Sequence, residues 1–218
     1  EGEDESKMAL STKMSIEDAK ASARPRVRRS AEAARENILA AAEALLTEKG
    51  PQALKLADVA KAAGVVHATV LHHFGSIADV QAALAERMIR RLVEQILDTP
   101  PPETGPAWRS LSGVDALFDA FEAPGAARLA AWLQLTDEMD RLTVVGEAVQ
   151  SVVRGRMVRE GLDEATARDL VLLSVILALG AGLFGPSLAA LTGAAPGRPR
   201  ELVMELLRSR IMALGGGL

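Results

Sequence analysis

Leu56-Ala57-Asp58-Val59-Ala60-Lys61-Ala62-Ala63-Gly64-Val65-Val66-His67-Ala68-Thr69-Val70-Leu71-His72-His73-Phe74 is the stretch that decides the fold. Its apolar spacing predicts two short helices, about 56–62 and 66–73, joined by a tight turn. Gly64 supplies the left-handed backbone that such a turn needs. Ala60 is small enough to let the two helices cross closely, and Val65 and Val70 plug the space between them. Each helix is too short to persist alone, so the pair requires a third wall.

That wall lies immediately upstream. Ser30 is a candidate N-cap and Gly50-Pro51 a candidate stop for a helix over 31–49, with a stripe of Ala34, Ile38, Ala41, Ala42, Leu45 and Leu46. Downstream, Ser76 and Asp79 form an S-x-x-D cap that opens a long helix to about Leu97. Its stripe is Val80, Ala83, Leu84, Arg87, Met88 and Arg91. After a proline-rich loop at 98–106, further helices are predicted at about 108–122, 125–139, 142–160, 163–184 and 199–214. Asp163 is the N-cap of the fourth of these. Breaks are expected at Pro124-Gly125, Gly161, Gly185-Pro186 and Pro196-Gly197.

The composition agrees with an all-α protein. Of 218 residues 49% are hydrophobic, only 3% are aromatic, and there is no Tyr or Cys. Disulfides and thiolate metal sites are therefore excluded, and lack of Cys fits a reducing cytoplasm. The net charge of −4 hides a segregation. Residues 24–97 carry eleven Lys/Arg against eight Asp/Glu, whereas 98–218 carry eleven against fifteen, so the basic block is the one holding the paired short helices. The expected organisation is a polar leader with a basic arm over 1–29, a three-helix helix-turn-helix domain over 30–75, and a larger helical domain over 76–218.

The run Ile38-Leu39-x-x-Ala42, Gly50, Val59-Ala60-x-x-x-Gly64-Val65, Thr69 and His73-Phe74 resembles the DNA-binding domain of tetracycline-repressor family regulators. The resemblance covers about 30–80 and implies that helix 66–73 is a recognition helix for the major groove. At about 1.5 Å per residue it is roughly 12 Å long. A helical wheel sets Val66, Val70 and Phe74 on one side, and Ala68 and His72 opposite, with His67, Thr69 and Leu71 between. His67 and His72 offer hydrogen bonds to base edges, and Ala68 and Leu71 offer contact to thymine methyls. His73 sits nearer the buried side, with phosphate as its most that it touches. Lys55, Leu71 and Ile77 stand where the family commonly has Ser/Thr, Tyr and Lys, which hold the DNA backbone. Phosphate contacts are accordingly expected from Lys55 and from the arm Arg24-Pro25-Arg26-Val27-Arg28-Arg29, chiefly Arg26, Arg28 and Arg29.

Nothing in the sequence suits catalysis, a cofactor or a metal. All three histidines fall within 67–73, at spacings unlike i, i+4 ligand pairs, and no phosphate loop, nucleophile elbow or H-E-x-x-H is present. Trp108, Leu117, Phe118, Phe121, Trp132, Leu135 and Met139 hold most of the aromatic surface of the C-terminal part. They read either as plain core or as the lining of a pocket for a small hydrophobic effector. Leu170–Ala195 carries no charge and is long enough to span a bilayer, but its glycines and proline and its flanks favour a buried or interfacial helix. The resemblance implies that the last two helices, through Leu173, Ile176, Leu177, Leu202 and Leu206, form a homodimer. A two-fold dimer presents two recognition helices to palindromic double-stranded operator DNA. The expected function is a cytoplasmic, dimeric repressor released by its effector. The alternative is a helical ligand-binding or scaffold protein with a degenerate DNA-binding domain.

Overall fold

The computed structural model describes residues 30–100, 102–103, 105, 109–138, 140 and 143–215. The arginine arm (Arg26, Arg28, Arg29), Trp108 and Met139 lie outside the described residues. Those described form helices and connecting turns, without a strand among them. Helix α1 covers 30–49, followed by a 3-10 turn at Pro51–Ala53. Then come α2 (Leu56–Ala62), α3 (His67–Phe74) and α4 (Ile77–Asp98). The C-terminal part contains α5 (Ser112–Glu122), α6 (Ala126–Leu135), α7 (Thr143–Val152), α8 (Glu164–Thr192) and α9 (Arg198–Gly215). Between α7 and α8 the chain passes through a π turn at Val153–Met157 and a 3-10 turn at Val158–Glu160.

The predicted punctuation is present. Gly50 and Gly64 have φ of 86° and 68°, the left-handed region that a side chain disfavours. The Ser76 hydroxyl oxygen accepts the Asp79 N–H at 3.1 Å, and its O–H donates to the Asp79 carboxylate at 2.5 Å. The Asp163 carboxylate accepts the Thr166 N–H at 2.9 Å, closing the start of α8.

A first core joins α1 to α4, with Ile38, Leu46, Val59, Val70, Val80 and Leu84 essentially inaccessible. Leu129 and Leu133 of α6 belong to the same cluster, so the N-terminal three-helix unit rests directly on the C-terminal part. Ionic links reinforce the α1–α4 contact. The Arg87 guanidinium bonds Glu36 at 3.1 Å, the Leu39 carbonyl at 3.0 Å and the Glu43 carboxylate, and Arg91 reaches Glu43 at 3.0 Å. A second set ties α9 to α5: Arg200 meets Asp115, Asp119 and Glu122 at 2.9, 2.7 and 3.0 Å.

Three expectations need correction. The break at Gly185-Pro186 does not occur, and α8 runs unbroken to Thr192. A proline inside a helix costs about 3 kcal/mol, so packing on both sides must hold it. The glycines that read as breaks are close-approach sites. A Cβ on Gly182 would lie 2.6 Å from the Phe121 carbonyl oxygen, and one on Gly185 3.2 Å from Pro199 Cβ. Beyond the proline, Ala189 is buried as well. The helix predicted over 125–139 stops at Leu135, where Asp137 adopts a φ of 58°. The helix predicted over 142–160 is regular only to Val152.

Helix α8 is long and apolar enough to cross a membrane by length and composition, and only 22% of its most apolar window is buried within the chain. Its exposed surface includes Leu172, Ile176, Phe184, Leu188 and Leu191, and α9 adds Leu202, Leu206 and Met212.

A candidate nucleic-acid interface and an apolar cavity

Helix α3 stands on two buried side chains, Val70 and Phe74, one turn apart. The opposite surface is open. Val66 is 68% and Leu71 41% exposed, His67, Ala68 and His72 are exposed, and Thr69 and His73 are half-buried. The His72 and His73 rings meet edge to face, with centroids 5.2 Å apart. Among the described residues no group of three or more His, Asp or Glu is placed to share a metal ion.

Three polar side chains that the sequence did not single out fix this helix pair. The Asn37 amide donates to the Ala63 carbonyl at 2.8 Å, so α1 closes the end of α2 just before the turn. The Arg35 guanidinium donates to the His73 carbonyl and covers the Phe74 ring. From the other side, the buried Gln81 amide of α4 donates to the Leu54 carbonyl at 3.1 Å, anchoring the segment that leads into α2. Lys55 occupies the N-cap position of α2 with extended backbone but its side chain makes no cap bond, leaving the ammonium exposed. Ile77 packs against the first core.

The C-terminal part encloses a cavity of about 310 Å³ between α4, α5, α6, α7, α8 and α9. Helix α4 supplies one wall through Met88, Ile89, Leu92 and Ile96. Of the residues expected to line an effector pocket, Leu117 and Phe121 do so. Phe118 instead lies in the core formed with Ala178 and Met204, beneath Arg200. Trp132 is half-buried away from the cavity, and Leu135 is 84% exposed. The aromatic residues point to α5 and α6, whereas the lining is mostly aliphatic and half of it comes from α4, α7 and α8. On the expected dimer face, Ile176, Leu202 and Leu206 are at least half exposed, and Leu173 and Leu177 are intermediate.

Residues 38–84 match the family described as bacterial regulatory proteins, tetR family. An uncharacterized HTH-type transcriptional regulator of Mycobacterium tuberculosis is 33% identical over 108 residues, 50% of this chain and 52% of that protein. The chain thus spans about half the length of the curated relatives it matches. Among solved structures, a possible TetR family transcriptional regulator from Streptomyces coelicolor A3(2) superposes with a TM-score of 0.58 at 14% identity, over 84% of this chain and 100% of that one. BioQ, solved with its double-stranded DNA operator, superposes with a TM-score of 0.50 at 18% identity, over 80% and 97%. At such identities the structures share the fold. Residues 38–84 thus match the tetR family's model, and most of the chain shares the fold of these solved structures.

Proposed function

We propose that the protein is a homodimeric, cytoplasmic repressor that binds palindromic operator DNA through α3 and releases it when a small hydrophobic effector enters the cavity. The observation that carries this reading is the double placement of α4. One end starts three residues after Phe74 and holds Leu54 through Gln81, and the other forms a wall of the cavity. A ligand that moves α4 therefore acts on the seat of the recognition helix, and the two sites share a coupling free energy.

In this reading residues 30–75 form the DNA-binding domain and 76–218 the effector and dimer domain. His67, Ala68, Leu71 and His72 face base edges, with Val66, Thr69 and His73 at the margins. Lys55 and the arm residues Arg26, Arg28 and Arg29 take phosphates. The exposed apolar side chains of α8 and α9 pair with those of a second copy, with Ile176, Leu202 and Leu206 central and Leu173 and Leu177 beside them. Burying that surface in a partner accounts for a helix of transmembrane character in a soluble protein.

The test is a mobility-shift titration with duplex DNA from upstream of its own gene, at several salt concentrations. Specific retention that weakens steeply with salt is expected. Equal affinity for that DNA and for unrelated duplex would overturn the reading.

A further inference from the structure

The cavity is apolar with one exception that carries charge. Among the described residues that line it, Arg156 alone is ionisable and none is a carboxylate. Arg156 is more than nine-tenths buried. It lies in the π turn at Val153–Met157. Such turns insert an extra residue into a helix and re-aim a side chain, and they recur at functional sites. Its Nη1–H donates to the Thr99 carbonyl just beyond α4. Its Nη2 is buried and has no hydrogen-bond partner among the described residues.

A guanidinium stays charged in proteins, so this is a permanent cation held inside an aliphatic chamber. Anchoring the π turn to Thr99 uses only one nitrogen. Arg87 also has a buried Nε without a partner, but Glu36 and Glu43 neutralise its charge. Arg156 meets no carboxylate among the described residues, and a buried unpaired charge is strongly destabilising.

We infer that the cavity takes an amphipathic carboxylic acid, with the carboxylate accepting from Nη2 of Arg156 and the aliphatic body lying against the α4, α5 and α8 walls. This inference rests on the effector reading above and names the chemical class of the ligand. With about 30 Å³ per water-sized group, the space admits a body of about ten such groups, the size of a medium-chain acid. Because Arg156 also holds Thr99, the head group binds at the far end of α4 from the recognition helix.

The inference is tested by calorimetric titration of the full chain with decanoate, decanol and decylammonium near neutral pH. Decanoate is expected to bind at least about tenfold tighter than decanol, the worth of a charge-assisted hydrogen bond, and decylammonium more weakly than either. Arg156→Met should abolish the preference for decanoate while keeping decanol affinity. Arg156→Lys should retain much of the preference. Decanoate binding no better than decanol to the unaltered protein would overturn the inference, as would equal loss of both ligands in a folded Arg156→Met variant. The unaltered protein decides even if that variant fails to fold. Decanoate binding without release of operator DNA would leave the ligand class intact and sink the effector reading. Release by decanol but not decanoate would do the reverse.

Discussion

The Arg35 guanidinium carbon of α1 sits 4.1 Å from the centroid of the Phe74 ring, and Nη1 of the same group donates to the carbonyl of His73. One side chain thus closes the C-terminal end of α3, where unpaired carbonyls and the negative end of the helix dipole favour a cation. If α3 reads DNA as proposed, recognition depends on how α3 is held, and a phenyl ring alone allows sliding that a cation above it and a bond beside it oppose.

Replacing Arg35 with Ala is therefore expected to lower stability by only about 1 kcal/mol, since the group is exposed. It should weaken operator binding more than that figure implies, because the loss falls on the orientation of α3. Urea unfolding and a mobility shift on the same samples separate the two effects. DNA affinity that drops no further than stability would remove Arg35 from this bracing role.

The α1–α4 ion cluster leads to a non-additive outcome. The Arg87 side chain is 11% exposed, Glu43 33%, and Glu43 also serves Arg91. Glu43→Ala leaves a largely buried guanidinium short of an anion and should cost about 2–3 kcal/mol, somewhat less than a fully buried pair. The double variant Arg87→Met with Glu43→Leu removes both charges and should be the more stable of the two. Chemical denaturation of both, with the cycle closed through Arg87→Met, measures the coupling. If the single and double variants lost the same stability, the charges would not be acting as a pair.

Much of the N-terminal unit was readable because its determinants are local. Ser76, Asp79, Gly50 and Gly64 act within a few residues of themselves, and the apolar periods of α1 and α2 match their buried faces. What escaped were contacts made at long range by residues whose local pattern is unremarkable. Arg35, Asn37 and Gln81 sit on exposed or mixed faces, and only the folded chain brings them to His73, Ala63 and Leu54. The C-terminal part misled for the opposite reason. Gly182, Gly185 and Pro186 have the local grammar of a break, but the neighbouring helices α5 and α9 approach closely enough to override it. The aromatic residues mark only part of the cavity wall, while its distinguishing group, Arg156, lies in a π turn that no periodicity announces.

The cap of α8 makes a pH prediction. The Thr166 hydroxyl, then the Thr166 N–H, hold the Asp163 carboxyl below its ordinary value of 3.8. A carboxyl lowered on folding stabilises above its unfolded value, and that contribution disappears as pH falls through the folded value. It is thus fully present at neutral pH and lost on acidification below about 4. Asp163→Asn keeps an amide oxygen for the Thr166 N–H but cannot titrate. Thermal melts from neutral to strongly acid pH should show the original losing its advantage over Asp163→Asn as the carboxyl protonates. Curves that run parallel throughout would show that the cap is not coupled to folding.

If α8 and α9 pair with a second copy as proposed, a charge at the centre of that face should separate the chains without unfolding either. Leu206 is 54% exposed and Ile176 57%, so neither is needed to fill the core of one chain. The variant carrying both Ile176→Glu and Leu206→Glu should elute as a monomer with unchanged helical circular dichroism. It should also lose most operator affinity, because a single recognition helix forfeits the linkage between half-sites. A variant that remains dimeric would move the interface to another face.

The contact of α8 with α5 gives a sharper test, because glycine there is required by a backbone neighbour. The Cβ of an alanine at 182 would meet the Phe121 carbonyl oxygen at 2.6 Å and its carbon at 3.0 Å. A flexible side chain could swing aside, but a helix backbone moves only as a body, so α5 and α8 must part. Gly182→Ala should therefore cost about 1–3 kcal/mol as overpacking, against a gain of up to about 1 kcal/mol that alanine brings to a helix interior. Gly146 on α7 is the control, since a Cβ there meets nothing within 4 Å. Gly146→Ala should express the propensity gain alone and raise the melting temperature. Because Phe121 also lines the cavity, displacement of α5 should weaken ligand binding in Gly182→Ala and not in Gly146→Ala. Two alanines that shifted stability in the same direction would show that α5 and α8 are not held at this contact.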